Sequence, residues 1–330
     1  VTDTEAIADR YRRFVLEQVR GRSPLYETYA LAVAASTEAL TFLAGLPPAK
    51  RQPNLLLAAV RHVCGLPADG AAFVATLLDN ATDVRTVMLA RSTQTNEPGR
   101  CALLLPVLSR LPQPLAVFEI GASAGLCLLA DRYGYDYGGA RLSPPGATGD
   151  TPVFPCAVEP KPRRPSGYPT IVWRRGLDLN PIAPDDRGQT AWLKTLVWPE
   201  QSDRAARLDA ALAIARTDPP LVERRSLLDP LDGLFADAPP AATRVLFHSS
   251  VLAYIEDDEE RRAVCDRIQA ACDVWICNEA PRILPWIADK TPSTGPPDMF
   301  MQAVNGEPVA WTDPHGAGIR YIDEAPALGR

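Results

Sequence analysis

The chain has 330 residues, 46% of them hydrophobic and 22% charged, with a formal net charge of −6. At about 150 residues per domain there is enough chain for two domains, and the composition excludes a collagenous, coiled-coil or wholly disordered protein. Pro stands out at 33 residues, which argues against long uninterrupted helices.

The acidic excess sits in the later part: residues 1–112 carry 12 Lys/Arg against 10 Asp/Glu, and residues 113–330 carry 22 against 30. A nucleic-acid partner requires a basic face that neutralises phosphates, and only residues 161–164 and Arg174-Arg175 hint at one, so none is expected. The 7 Cys include no CxxC pair, and no two His have ligand spacing; neither a disulfide framework nor a metal site is expected. Every apolar stretch of about 18 residues is interrupted by a charge or Pro, and residues 1–13 carry Asp3, Glu5 and Asp9 in place of an apolar leader core. These features lead us to expect a cytoplasmic protein without membrane contact.

In chain order, Ile7, Tyr11, Phe14, Val15 and Val19 fall at helical spacing with Gly21 as a stop, and Ser23-Pro24 offers a cap with Pro at the first helical position. A long apolar helix is predicted from there towards Gly45, then shorter ones over residues 55–64, 71–78, 84–91 and 99–111. No strand signal precedes Pro114, so residues 1–112 read as a helical N-terminal cap region. Leu115-Ala-Val-Phe118 is then a short apolar run ending at Glu119, followed by a Gly-rich turn over 121–125 and an apolar helical stretch to Ala130. That succession is strand, tight turn, helix. A Pro-rich stretch reads as part of an insertion at about 138–170 carrying one hairpin. Further strands are predicted at Ile171-Val-Trp173, Leu221-Val222, residues 244–248 and Val274-Trp-Ile-Cys277, with helices over 190–216 and 257–271 and a hairpin at Asn305-Gly306. Residues 113–330 are therefore predicted as a Rossmann-like α/β domain: a doubly wound, mostly parallel sheet with a C-terminal antiparallel hairpin.

Glu119-Ile-Gly121-Ala122-Ser123-Ala-Gly125 admits two chemistries. As E-x-G-x-x-x-G it is a first strand-to-helix turn that binds a nucleoside cofactor: the glycines admit the ligand to the backbone, the helix start presents N–H groups, and Glu119 receives the cofactor's polar end. As G-x-S-x-G it is a nucleophile elbow with Ser123 served by His248 or His315. An elbow normally follows several strands of its sheet, whereas here everything before Pro114 is helical; chain position favours the cofactor reading. Asp178, in Gly176-Leu-Asp178, is the strand-end acid expected to accept ribose hydroxyls, although it lies well beyond the usual spacing of about 20 residues. Asp136 is the fallback.

His248 follows Val245-Leu-Phe247 at a strand end, where open sheets place chemistry, and an imidazole titrates near neutral pH. It is the expected general base, with Glu279 at the next strand end a weaker candidate. The polar run Thr93-Gln-Thr-Asn-Glu97 is first a capping element; read functionally it is a loop over cofactor or substrate, with Glu97 and Arg100 orienting the latter. Trp198-Pro-Glu-Gln201 reads as a lid or, more simply, as packing.

The ordered set Thr95-Asn-Glu-x-x-Arg100, Gly121-Ala-Ser-Ala-Gly-Leu126, Asp131-Arg-Tyr133 with Tyr135-Asp-Tyr137, Arg175-Gly-Leu-Asp178, Trp198-Pro-Glu-Gln201 and His248-Ser-Ser-Val-Leu-Ala-Tyr254 resembles the bacterial family called domain of unknown function 2332. That family is in turn similar in pattern to class I S-adenosylmethionine methyltransferases. The resemblance implies S-adenosylmethionine held by Glu119, Gly121, Ala122, Ser123, Gly125 and Asp178, and a small-molecule substrate. Two departures stand out: Ser123 replaces the middle glycine of the methyltransferase turn, and Arg225-Ser226 stands where Gly-Asp is expected. Ser226 is kept among the cofactor-binding candidates, with Asp229 as a substitute acid. The alternatives are a serine hydrolase using Ser123 and a non-catalytic nucleotide-binding protein on a methyltransferase-like fold.

Overall fold

In a computed structural model of the chain, residues 2–94, 96–159, 165, 167–292 and 294–322 are described. Thr95 and the basic residues 161–164 lie outside the described residues. In chain order the helices are α1 (Asp3–Phe14), α2 (Pro24–Ala35), α3 (Thr37–Ala44), α4 (Pro53–Cys64), α5 (Gly70–Asp79), α6 (Ala81–Ala90), α7 (Cys101–Leu108), α8 (Arg187–Leu196), α9 (Ser202–Thr217), α10 (Asp258–Ala271) and α11 (Pro285–Ala288). The strands are β1 (Leu115–Ile120), β2 (Gly134–Asp136), β3 (Arg141–Leu142), β4 (Val153–Pro155), β5 (Ala157–Glu159), β6 (Ile171–Asp178), β7 (Leu221–Arg224), β8 (Thr243–Ser249), β9 (Val274–Glu279), β10 (Phe300–Val304), β11 (Glu307–Thr312) and β12 (Gly318–Tyr321). They fall into two compact units, residues 1–95 with 188–206 and residues 96–187 with 207–330.

The first unit is helical. Thr2 and Glu5 form a reciprocal capping box at α1, and Ser23 caps α2 through Tyr26 N with Pro24 at the first position. The single long helix predicted towards Gly45 is two helices, because Ser36 leaves helical backbone (ψ 116°) and its hydroxyl accepts Ala39 N to start α3 afresh. Leu55 to Val60 of α4 are all buried, and the Tyr29 and Phe73 rings stack at 4.5 Å in the same core. Residues 188–206 return to this unit. The indole of Trp192 donates to Ser92 O at 2.9 Å, that of Trp198 donates to Asn54 Oδ1 at 3.2 Å, and Glu200 accepts from Ser23 Oγ at 2.7 Å and Leu25 N at 3.0 Å. Trp198-Pro-Glu-Gln201 is thus packing and a helix-start tie.

The second unit carries a nine-stranded sheet in the order β5-β12-β11-β10-β9-β8-β1-β6-β7. β7, β6, β1, β8 and β9 are mutually parallel, and β10, β11 and β12 continue as antiparallel neighbours, with β5 parallel to β12 at the far edge. β1 has neighbours on both sides and all six of its residues are buried, which is why its sequence is a continuous apolar run up to Glu119. The chain leaves β1 towards β6 and β7 on one side and later resumes at β8 on the other, so the carboxyl ends of β1 and β8 flank the switch point where open α/β sheets bind ligands. Asn305 (φ 50°) and Gly306 (φ 76°) make the predicted hairpin turn between β10 and β11. β2, just before the predicted insertion, pairs antiparallel with β3 and parallel with β4 inside it, in a separate small sheet.

Residues 96–112, grouped by sequence with the helical region, pack in the second unit. All eight residues of α7 are buried, and Pro106 in its interior removes the donor for Ala102 O, which the Tyr137 hydroxyl supplies at 2.8 Å; Gln302 Nε2 donates to Leu103 O at 2.9 Å. Tyr133 and Tyr135 donate likewise, to Leu126 O at 2.9 Å and Ala130 O at 2.6 Å. These carbonyls belong to Leu126–Arg132, two short 3₁₀ turns separated by a kink at Leu129 (φ −102°, ψ 26°), which stand where an α-helix is predicted after the Gly-rich turn. Among the described residues no helix is long and apolar enough to cross a membrane.

Candidate functional site

The Gly-rich turn leaves β1 with Gly121 at φ 74°, Ser123 at φ 51° and Gly125 at φ 70°. Its backbone donors are mostly spent within the fold. Gly121 N and Ala122 N both donate to Leu177 O, at 2.8 and 3.0 Å, Ser123 N donates to Asp178 Oδ2 at 2.9 Å, and Gly125 N donates to Ala122 O at 2.6 Å. Four of the turn's N–H groups are thus engaged, the chain enters short 3₁₀ turns in place of an α-helix, and the turn is pinned to the end of β6. The glycines admit protein atoms. A Cβ at Gly121 would lie 2.3 Å from Val251 Cγ2, one at Gly125 2.7 Å from Pro220 Cβ, and one at Gly176 2.6 Å from the Ala122 methyl.

Two side chains of the turn remain unsatisfied. Among the described residues Glu119, 7% exposed, has no hydrogen-bond partner for Oε2, and Ser123, 4% exposed, has none for Oγ. Burial pushes the Glu119 carboxyl well above the usual range, with the Cys127 thiol and the charge of Asp178 acting in the same direction and Arg100 opposing them. Asp178 is half-buried; besides Ser123 N it accepts Asn180 N on Oδ1 at 2.7 Å, and a carboxylate oxygen keeps lone-pair capacity after one bond. The sequence-predicted Glu119, Gly121, Ala122, Ser123, Gly125 and Asp178 are brought together in this way.

The segment 96–100 belongs to the same place. Asn96 Nδ2 donates to Ala122 O at 3.2 Å, Cys127 Sγ donates to Glu97 O at 3.4 Å, and the buried Glu97 carboxylate caps Gly99 N at 3.0 Å. Arg100, 7% exposed, donates from Nε to Pro314 O at 2.8 Å and from Nη1 to Ser249 O at 3.1 Å, which fixes it at the carboxyl end of β8. His315 Nδ1 lies 3.7 Å from Glu97 Oε2.

His248 is placed differently from the expectation. Its ring is 1% exposed, Nδ1 lies 2.8 Å from Glu279 Oε1, and the Trp275 indole N–H donates to Nε2 at 3.0 Å. An indole can only donate, so Nε2 is the acceptor and Nδ1 carries the proton to Glu279. No lone pair is left to take a proton from a substrate, and the general-base role expected from the strand-end position is corrected to a structural one. Glu279 Oε1 also receives Val251 N at 2.9 Å and Leu252 N at 3.2 Å, so this carboxylate shapes the loop after β8. Ser226 Oγ accepts Leu228 N at 3.1 Å and Ser226 N donates to Asp229 Oδ2 at 3.1 Å, so it and the substitute acid share one local turn. Asp136 accepts Gly139 N at 2.7 Å in the small sheet.

The profile of the family described as "Uncharacterized protein conserved in bacteria (DUF2332)" matches residues 8–320. The chain belongs to this family. No curated protein matches it in sequence. Among solved structures it is similar to one described as a possible exported protein from Bordetella parapertussis, at 14% identity over 84% of this chain and 70% of that one, with a TM-score of 0.30, a likeness that transfers neither fold nor function.

Within the family motifs, Arg174 and Arg175 are ion-paired: Arg174 binds Asp131 through both carboxylate oxygens at 2.8 and 2.9 Å, and Arg175 meets Asp237 at 2.6 Å. They present no basic face. Sequence reasoning gave His315 a role only as a partner for Ser123 and gave Tyr254 none. His315 reaches Glu97 from a loop more than two hundred residues away, and the exposed Tyr254 feels the charges of Asp178, Arg100 and Glu279. Long-range proximity of this kind leaves no local pattern; the one signal was the Gly316 beside His315, which a close backbone approach to Gly99 requires.

Proposed function

We propose that the protein binds S-adenosylmethionine at the turn after β1 and is a methyltransferase acting on a small nucleophilic substrate. The observation that carries this reading is the pair of buried, unpartnered polar atoms, Glu119 Oε2 and Ser123 Oγ, at the carboxyl end of the strand beside the switch point. A buried polar group left unsatisfied costs roughly 1–3 kcal/mol, and native structures keep few without reason. Donors on the polar end of the cofactor satisfy Glu119, and the half-buried Asp178 carboxylate retains capacity for ribose hydroxyls. When bound, S-adenosylmethionine supplies a methyl group on a positively charged sulfur.

The chain's own residues then have to orient the nucleophile and take its proton. With His248 committed to Glu279 and Trp275, the proton acceptor in this reading is His315, half-exposed and 3.7 Å from the buried Glu97 carboxylate. The protein works in this reading in the cytoplasm, where its seven free cysteines, five of them buried, stay reduced.

The test is calorimetric titration with S-adenosylhomocysteine. One-to-one binding that Asp178→Ala weakens at least about tenfold supports the reading, since each charge-assisted hydrogen bond lost is worth roughly 1.5–3 kcal/mol. Absence of binding by both S-adenosylmethionine and S-adenosylhomocysteine refutes it. A serine hydrolase is the second reading, favoured by the left-handed backbone of Ser123 (φ 51°), the strained geometry of a nucleophile elbow. Its Oγ has no base within hydrogen-bond reach. Covalent labelling of Ser123 by a fluorophosphonate would decide for the hydrolase.

A further inference from the structure

Two ionisable side chains at this site are buried without counter-ions. Arg100 is more than nine-tenths buried, yet among the described residues it forms no ion pair; two carbonyls, Pro314 O and Ser249 O, take up two of its five N–H donors. The chain treats its other buried arginine differently, since Arg261 binds Asp258, and the half-buried Arg174 is bidentate to Asp131. Glu119, equally buried, has an unpartnered Oε2, and Arg100 lies close enough to pull its carboxyl towards ionisation without forming a salt bridge. A buried guanidinium without a partner is costly, and so is a buried carboxyl oxygen without a donor. β1 and β8 are adjacent, with Glu119 opposite Phe247, and Arg100 is bound to Ser249 O two residues further along β8, so a cation and an acid stand at the same end of the sheet.

We propose that Arg100 and Glu119 together hold an α-amino-acid head group, the ligand's carboxylate on the guanidinium of Arg100 and its ammonium on Oε2 of Glu119. This rests on the reading of the site as an adenosyl-ligand site and names the part of the ligand that gives it affinity. The planar guanidinium fork suits a carboxylate in two-point contact, and the two carbonyl bonds to Arg100 orient that fork without neutralising it. A zwitterion satisfies both groups at once, whereas a simple anion or a simple amine would leave one of them unpaired.

The experiment compares, on the full chain, S-adenosylhomocysteine with 5′-deoxy-5′-methylthioadenosine, which keeps the nucleoside and thioether and lacks the amino-acid end. S-adenosylhomocysteine is expected to bind at least about thirtyfold tighter, the equivalent of roughly 2 kcal/mol. Arg100→Gln and Glu119→Gln are each expected to remove at least tenfold of the S-adenosylhomocysteine affinity while leaving methylthioadenosine within twofold. Equal affinity of the two ligands for the unmodified protein overturns the proposal and leaves the adenosyl reading intact, and this comparison needs no variant to fold. Parallel weakening of both ligands in the variants also overturns it, because a merely structural Arg100 would act that way. If neither nucleoside binds, the adenosyl reading fails, and the head-group assignment is decided by L-methionine and L-homocysteine. Binding that is lost in their methyl esters upholds it, and no binding overturns it.

Discussion

Gly121→Ala tests what the absent side chain in the turn is for. The residue has φ 74°, where an L side chain costs roughly 1–2 kcal/mol. Its new Cβ would sit 2.3 Å from Val251 Cγ2, with Cγ1 at 3.3 Å and Cβ at 3.4 Å. Valine is branched at Cβ, so only the χ1 well that turns its hydrogen towards residue 121 relieves the overlap, at the cost of leaving the rotamer it holds. Overpacking adds roughly 1–3 kcal/mol, for an expected loss of about 2–5 kcal/mol. Val251→Ala removes the overlapping methyls at a cost near 1–2 kcal/mol, and in the double variant the overlap term disappears while the φ term stays. Urea unfolding of the four proteins should therefore show a favourable coupling of about 1–3 kcal/mol. Additivity within 0.5 kcal/mol would refute the claim that Val251 is what the glycine accommodates.

Three further outcomes are expected. His248→Ala should destabilise by about 2–4 kcal/mol in urea unfolding, since it leaves the Trp275 indole N–H unpaired and deprives the buried Glu279 of one donor; a loss under 0.5 kcal/mol would refute the structural role. Burial raises the Glu119 carboxyl, so the folded chain keeps a proton that the unfolded chain has already released, and stability declines as pH rises from the ordinary carboxyl range through the folded group's own value, by up to about 1.4 kcal/mol per pH unit. Glu119→Gln removes that slope: its stability relative to the parent should climb between pH 5 and 8, and a flat or falling difference would contradict the assignment. Tyr137→Phe should cost about 1–3 kcal/mol by thermal or urea unfolding because Ala102 O then has neither a helix donor nor a hydroxyl; an unchanged midpoint would show that another donor reaches it.

The parallel strands were legible because each is short, apolar and bounded by turn residues, and Asn305-Gly306 announced its hairpin through backbone preference alone. The motif around Glu119 to Gly125 and the distant Asp178 do meet, through Ser123 N. Other features depended on where distant chain segments come to rest. A composition shift near Pro114 could not reveal that α7 belongs with the sheet, because a helix buried on every side has the same apolar sequence wherever it packs. The return of residues 188–206 to the helical unit was hidden behind a helical pattern common to both units. Ser36 looked like one small residue in a long apolar run, yet its hydroxyl starts a helix. The role of His248 failed on its neighbours: the strand-end rule places it correctly, but Trp275 and Glu279 occupy both ring nitrogens from the adjacent strand.

The three tyrosines at 133, 135 and 137 alternate along β2 and its two flanking residues, and each hydroxyl ends on a main-chain oxygen of a neighbouring helical segment. Together they work as a comb whose teeth hold the kinked stretch after the turn and the Pro-interrupted α7 in register. A family signature rich in tyrosine invites a search for phenol chemistry. Here the phenols repair backbone that proline and a tight helix leave open, and all three are pushed well above the ordinary tyrosine range by burial. Residues of this sort mark which sequences can build the scaffold, and a relative that retained the comb while replacing Glu119 or Arg100 would share the architecture without the head-group site proposed above.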